Sequence, residues 1–370
     1  MNLDDIVKIL QKECVGETMP LKALIITISG CKCINKDSKN TNIHCDDESG
    51  IGKDYITEVV KKYIFPDKWI HEIMPSPAAI TMTQRPISIN GGDEIVPNPI
   101  TKDSIVYIED ADDKFLSGRH FKMLINGDVN NYPLVDSMKA HLVSWPKPIV
   151  IISTATGSGD NQVVRRLPSL KFDNSPTQTK KIMDFIVNKS CNKVDLPTKK
   201  EIKDINDYFN SLDTVYADCS KLEKLIRDEI IRDEQIHMRS LTGRFLDYIK
   251  FSATLHQHNR VHETTGGPHM IDLIYANEDD FNIAKDVIYY MYKEESEKCY
   301  STLNHRQRHI AKRLEREMSD YTVDQINTWP ESGDVTMAIL YKDIKKICQQ
   351  LPHINGTGSQ PTKYGVGESD

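Results

Sequence analysis

Thr41-Asn42-Ile43-His44-Cys45-Asp46-Asp47-Glu48-Ser49-Gly50-Ile51-Gly52-Lys53-Asp54-Tyr55 runs from an apolar segment, through an acidic turn with two glycines, into a helical pattern. Against the phosphate-loop pattern G-x-x-x-x-G-K-[ST] it supplies Gly52 and Lys53. Asp47 stands where the first glycine would be, and Asp54 where the hydroxyl residue would be. Gly50 and Gly52 permit a tight turn whose backbone N–H groups face an anion, and Lys53 adds a point charge. Ser49, Gly50, Ile51, Gly52, Lys53 and Asp54 are therefore the expected nucleotide-binding residues. Downstream, Tyr55, Ile56, Val59, Val60 and Tyr63 recur at helical spacing, so the loop opens a helix. A surface Gly-Lys turn before an ordinary helix is the competing reading.

Working outward, Ile43–Cys45, Trp69–Met74, Ser104–Ile108 and Pro148–Ser153 read as strands alternating with helical segments, which predicts an α/β layer with a mostly parallel sheet. The third strand ends in two carboxylates, Glu109 and Asp110. A nucleotidase needs such a pair: Glu109 to hold Mg²⁺ through water, Asp110 to orient the attacking water. Asp54 is a second candidate magnesium ligand, although an ionised carboxylate there also repels phosphates. The fourth strand ends in Ser153 and Thr154, and Arg165-Arg166 follows. Between these strands, residues 129–143 alternate around turn formers and predict a β-hairpin carrying Lys139 and His141.

The chain has 370 residues, net charge −7, 39% hydrophobic and 27% charged residues. It can bury a sizeable core, and its length suggests two or three domains. No apolar run approaches a membrane span, and the acidic start Met1-Asn2-Leu3-Asp4-Asp5 is not a secretion signal. Eight scattered cysteines point to a reducing, cytoplasmic setting. Cys31-Lys32-Cys33 with His44-Cys45 has the composition of a zinc site but not its spacing. The acidic balance means that any nucleic-acid contact must be local.

Local basic excess occurs at residues 303–316, where Arg306 and Arg308 accompany an apolar face. A short helix at Val323–Asn327 and a third helix at Val335–Leu351, with Lys342, Lys345 and Lys346, complete a pattern suited to a winged-helix or helix-turn-helix module. Such a module contacts DNA or serves as a protein-interaction cap. The expected division is an N-terminal helix and leader (1–40), an α/β nucleotide-binding core (41–190), a helical linker and lid (191–299), the winged-helix-like module (300–352) and a disordered Gly/Ser/Pro-rich tail (353–370).

The order of these parts resembles the AAA+ ATPases related to minichromosome maintenance helicases, in the shortened form carried by plasmids, viruses and integrated elements. Residues 240–256, beginning Ser240-Leu241-Thr242-Gly243-Arg244-Phe245, are similar to that family's lid helix. The resemblance implies an AAA+ P-loop core binding ATP and Mg²⁺, with a helical lid. It also implies that Ser153 or Thr154 helps hold the water and that Arg165 or Arg166 serves as an arginine finger. Arg244, placed at the start of the lid helix, is implied to contact the γ-phosphate from a neighbouring subunit. It further implies a ring-shaped homo-oligomer such as a hexamer, with Lys139 and His141 toward its channel, and DNA and replication proteins as partners. The function so implied is a DNA-translocating motor or helicase. The alternatives are a degenerate initiator or DNA-binding regulator that barely hydrolyses nucleotide, and an ATPase that remodels a protein.

Overall fold

The computed structural model describes residues 1–37, 42–46, 52–73, 84–89, 92–97, 104–112, 115–116, 118, 121, 124–125, 129–136, 139–145, 149–154, 168–173, 175–231, 238–264, 272–301, 306–307, 310–311, 313–314, 321–332, 336–350, 354–356 and 363–366. The chain divides into two compact units, one of residues 1–223 and 243–291, the other of residues 224–242 and 292–370.

At the centre of the first unit lies a five-stranded, all-parallel sheet. Its strands are β1 (Ile43–Asp46), β2 (Trp69–Ile73), β5 (Ile105–Glu109), β8 (Ile149–Thr154) and β9 (Ser169–Leu170), in the spatial order β2-β5-β8-β1-β9. β5 and β8 are rich in Val and Ile and buried through Ile105–Ile108 and Ile149–Ser153, as strands covered on both faces are. Val106, Ile108, Val150 and Ile152 point to one face, against Phe115, Leu116, Phe121, Leu124 and Ile125. By alternation, Ile105, Tyr107, Glu109, Ile151 and Ser153 belong to the other face. Helix α3 (Lys53–Tyr63), which follows β1, reaches that face through Asp54.

Two hairpins are inserted between sheet strands. β3 (Gln84–Ile89) pairs antiparallel with β4 (Gly92–Pro97) between β2 and β5, a hairpin absent from the sequence expectations. β6 (Val129–Asp136) pairs with β7 (Lys139–Trp145) between β5 and β8, as the alternation predicts. Lys139 stands opposite Asp136 beside the turn, and His141 opposite Leu134.

The N-terminal segment is two helices, α1 (Leu3–Gln11) and α2 (Thr18–Ser29), rather than a helix and a leader. α2 is apolar nearly all round and buried nearly throughout, as such a helix must be. Helices α4 (Pro176–Ser190) and α5 (Lys199–Asn210) belong to the same unit as the sheet, so no boundary falls at residue 190. Phe65 packs edge-on against Phe209 with ring centroids 5.3 Å apart, and Lys12 pairs with Glu201 at 2.9 Å. A small second sheet, β10 (Val215–Asp218), β12 (Asp272–Tyr275) and β11 (Glu263–Thr264), completes this unit.

Three further helices follow: α6 (Glu223–Ile231), α7 (Met238–Leu255) and α8 (Glu278–Ser301). In the second unit, α9 (Val323–Asn327) and α10 (Met337–Gln350) accompany an antiparallel sheet of β13 (Tyr321–Thr322), β15 (Lys363–Val366) and β14 (Ile354–Gly356). Residues 354–356 and 363–366 thus form strands where composition predicted a disordered tail. Backbone pairing to β13, and burial of Ile354 with Leu340, Ile344, Ile347 and Trp329, supply the order that composition alone does not.

Candidate nucleotide site

The carboxyl ends of β1, β8 and β5 are in register: Cys45 lies beside Ser153, Asp46 beside Thr154, and Ile108 beside Ile152. From β1 the chain crosses to β2 on one side, whereas from β8 it crosses over β1 to β9 on the other. Adjacent strands whose connections diverge leave a crevice at their carboxyl ends, the usual ligand position in open α/β sheets.

At that crevice Gly52 precedes α3 with φ 96° and ψ 14°, in the left-handed region. Among the described residues, a Cβ there would meet nothing within 4 Å. Glycine adopts this conformation without the steric penalty of other residues. Lys53 is the first residue of the eleven-residue helix, and it is buried at 3% exposure. The competing expectation of a surface Gly-Lys turn does not hold for this side chain. A buried ammonium is tolerated only where partners compensate it.

Asp54 does not face the crevice unattended. The hydroxyl of Tyr107, in β5, donates to Asp54 Oδ1 at 2.7 Å and lies 3.3 Å from Ser153 Oγ. Burial raises the Tyr107 pKa far above the ordinary tyrosine value. The Ser153 hydrogen bond opposes the shift and the Asp54 bond reinforces it. Tyr107 therefore stays protonated and acts as a fixed donor. Sequence reasoning missed it because a tyrosine within an Ile/Val strand reads as core. The available signal was its phenol, which must find a partner when buried.

Ser153 also ties the carboxylate pair to β8. Its Oγ accepts from the Asp110 N–H at 3.4 Å, and its carbonyl accepts from the Ala111 N–H at 2.9 Å. Asp110 takes φ 53°, a conformation that non-glycine residues seldom adopt and that clusters at functional sites. Glu109 is half-buried and shares the face of Tyr107, whereas Asp110 is exposed. Asp112 plays a structural part, since its Oδ1 accepts the Phe115 N–H at 2.6 Å and so caps the helical residues that follow.

The structure thus brings together Gly52, Lys53, Asp54, Glu109, Asp110 and Ser153. Of Thr154 only the backbone at the end of β8 is described, and the same holds for Lys139 and His141 in β7. Ser49, Gly50, Ile51, Arg165, Arg166 and Arg308 lie outside the described residues.

Arg244 is corrected in placement. It does not begin a helix but lies in the second turn of α7, buried at 4% exposure. Gly243, just before it, lies inside the helix as well. Asp247 and Lys250, also buried, hold residues 35–37 to α7. The Asp37 N–H donates to Asp247 Oδ1 at 2.5 Å, and Lys250 Nζ reaches Asp37 Oδ2 at 2.6 Å and the Asn35 carbonyl at 2.9 Å.

In the second unit Arg306 is engaged internally. Its Nε donates to Asp343 Oδ2 at 2.7 Å, and Gln307 Nε2 donates to the other oxygen at 2.6 Å. Lys342, Lys345 and Lys346 lie on α10 with the exposed Tyr341, whereas Leu340, Ile344 and Ile347 are buried.

The first-unit residues fit a nucleotide phosphate with a divalent cation: a left-handed glycine at a helix start, a lysine, and carboxylates at the end of β5. Among the described residues, no group of three or more His, Cys, Asp or Glu is placed to hold a metal by protein ligands alone. Also among the described residues, no helix is long and apolar enough to cross a membrane. No model of a known protein family matches the chain, and no curated protein matches it in a sequence comparison.

Proposed function

We propose that the chain is an AAA+ ATPase acting as a DNA-translocating motor or helicase of a replication module, assembled as a ring-shaped homo-oligomer. One observation carries the reading. The resemblance calls for a polar residue on the strand between the two core motifs. β8, with Ser153 one residue before its end, lies between the loop-bearing β1 and the carboxylate-bearing β5. The β6–β7 hairpin between β5 and β8, and the three-stranded sheet with α9 and α10 in the second unit, support the same reading. In this reading the second unit is a winged-helix module with the α10 lysines as its DNA face.

Mg²⁺-ATP, when bound, supplies the phosphoanhydride and a metal that offsets its charge. The Gly52 turn and Lys53 bind the phosphates. Glu109, at the end of β5, would hold the cation, and Asp110, its backbone N–H bonded to the Ser153 hydroxyl, would orient a water. Arg165, Arg166 and Arg244 are proposed to complete the site between subunits, and replication proteins are proposed partners.

The Asp54–Tyr107 bond favours a second reading, in which the site binds nucleotide but turns over slowly and the protein serves as an initiator or DNA-binding regulator. Turnover with and without forked DNA, together with the mass of the assembly, separates the two. Stimulated turnover by a ring supports the motor, whereas DNA binding without turnover supports the regulator.

A further inference from the structure

We propose that Tyr107 is the positioning residue of this site: its hydroxyl pins the Asp54 carboxylate by one oxygen, so that the other oxygen alone is left for a divalent cation and the charge is held back from the phosphates. The inference rests on reading Gly52–Asp54 as a nucleotide loop.

Three observations carry it. Asp54 stands at the motif position of a neutral hydroxyl residue, so an unrestrained carboxylate there would be repelled by the phosphates that Lys53 attracts. The Tyr107 hydroxyl reaches Asp54 at 2.7 Å but Ser153 at 3.3 Å, so the charged acceptor takes the shorter bond. Tyr107 itself has no exposed surface and belongs to a strand fixed on both sides, by β2 and by β8. The donor therefore cannot follow Asp54, and Asp54 must come to it. Ser153 links the same tyrosine to the Asp110 N–H, so one phenol spans the loop side and the carboxylate side of the crevice. The substitution of a carboxylate for a hydroxyl and the placement of a tyrosine two residues before Glu109 thus form one matched pair.

Nucleotide binding without turnover tests this, using a fluorescent ATP analogue titrated over a magnesium series into the full chain. Tyr107→Phe removes the hydroxyl while keeping the ring. It should raise the magnesium needed for half-maximal nucleotide binding by roughly tenfold, the scale of one hydrogen bond to a charged group. Affinity at saturating magnesium should change much less. In an Asp54→Thr background, Tyr107→Phe should have no further effect, because the group it positions is gone. An unchanged magnesium dependence in Tyr107→Phe overturns the proposal, as does an effect that persists with Asp54→Thr. A Tyr107→Phe chain that fails to fold also overturns it, by giving the hydroxyl a structural duty instead. Failure of the underlying reading looks different: the parent chain would bind no nucleotide at any magnesium concentration, or Lys53→Ala would bind it equally well.

Discussion

Replacing Gly52 by alanine tests the loop where its geometry is most specific. Gly52 sits at φ 96°, ψ 14°, and the added Cβ would touch nothing within 4 Å. The cost is therefore backbone strain alone, about 1–2 kcal/mol for an L-residue held in the left-handed region. If the loop keeps its conformation, that strain appears as lost stability. If the loop escapes, the binding-ready population falls by about 5- to 30-fold. Because no described neighbour packs where that Cβ would sit, the second outcome should dominate. Gly52→Asn should be milder, since asparagine visits this region more readily. Fluorescent ATP-analogue titration at saturating magnesium reads the affinity, and a thermal melt reads the stability. A Gly52→Ala chain that loses stability but binds nucleotide like its parent would refute the assignment of this turn to phosphate binding.

Other perturbations separate the remaining roles. Asp110→Asn should leave ATP bound but slow its hydrolysis, while Glu109→Gln should weaken the magnesium dependence; parental rates in both would reduce the pair to an acidic turn. Gly30→Ala should lower the thermal midpoint by several degrees, because its Cβ would lie 2.7 Å from atoms of the buried Phe251 ring, a clash costing about 1–3 kcal/mol. An unshifted midpoint would contradict that packing. Replacing Lys342, Lys345 and Lys346 with glutamine should weaken DNA binding and flatten its salt dependence by about 0.7–0.9 per lost phosphate contact. Unaltered salt dependence would leave α10 without a DNA role.

Much of the sheet was legible because strands buried on both faces are continuous apolar runs: Ser104–Ile108 and Pro148–Ser153 fall within one residue of β5 and β8. The 129–143 hairpin was legible from alternation. The β3–β4 hairpin was equally readable in retrospect, since Ile89 pairs with Gly92 across Asn90-Gly91, a strong two-residue turn signal. Other features were hidden for physical reasons. β10 and β12 are four residues each, too short for periodicity to register. Gly243 resembles a helix start in sequence, although packing overrides its low propensity inside α7. The Tyr107–Asp54 bond joins residues 53 positions apart, and no local pattern encodes such a pair.

One calorimetric comparison tests the phosphate loop most directly, with ATP and magnesium titrated into the parent chain and into Lys53→Ala. Lys53 is buried at the start of α3, so circular dichroism must first show that the variant is folded. A folded Lys53→Ala protein that no longer binds ATP, beside a parent that does, is the predicted result. Equal affinity in the two would contradict the phosphate-loop reading and the motor built upon it.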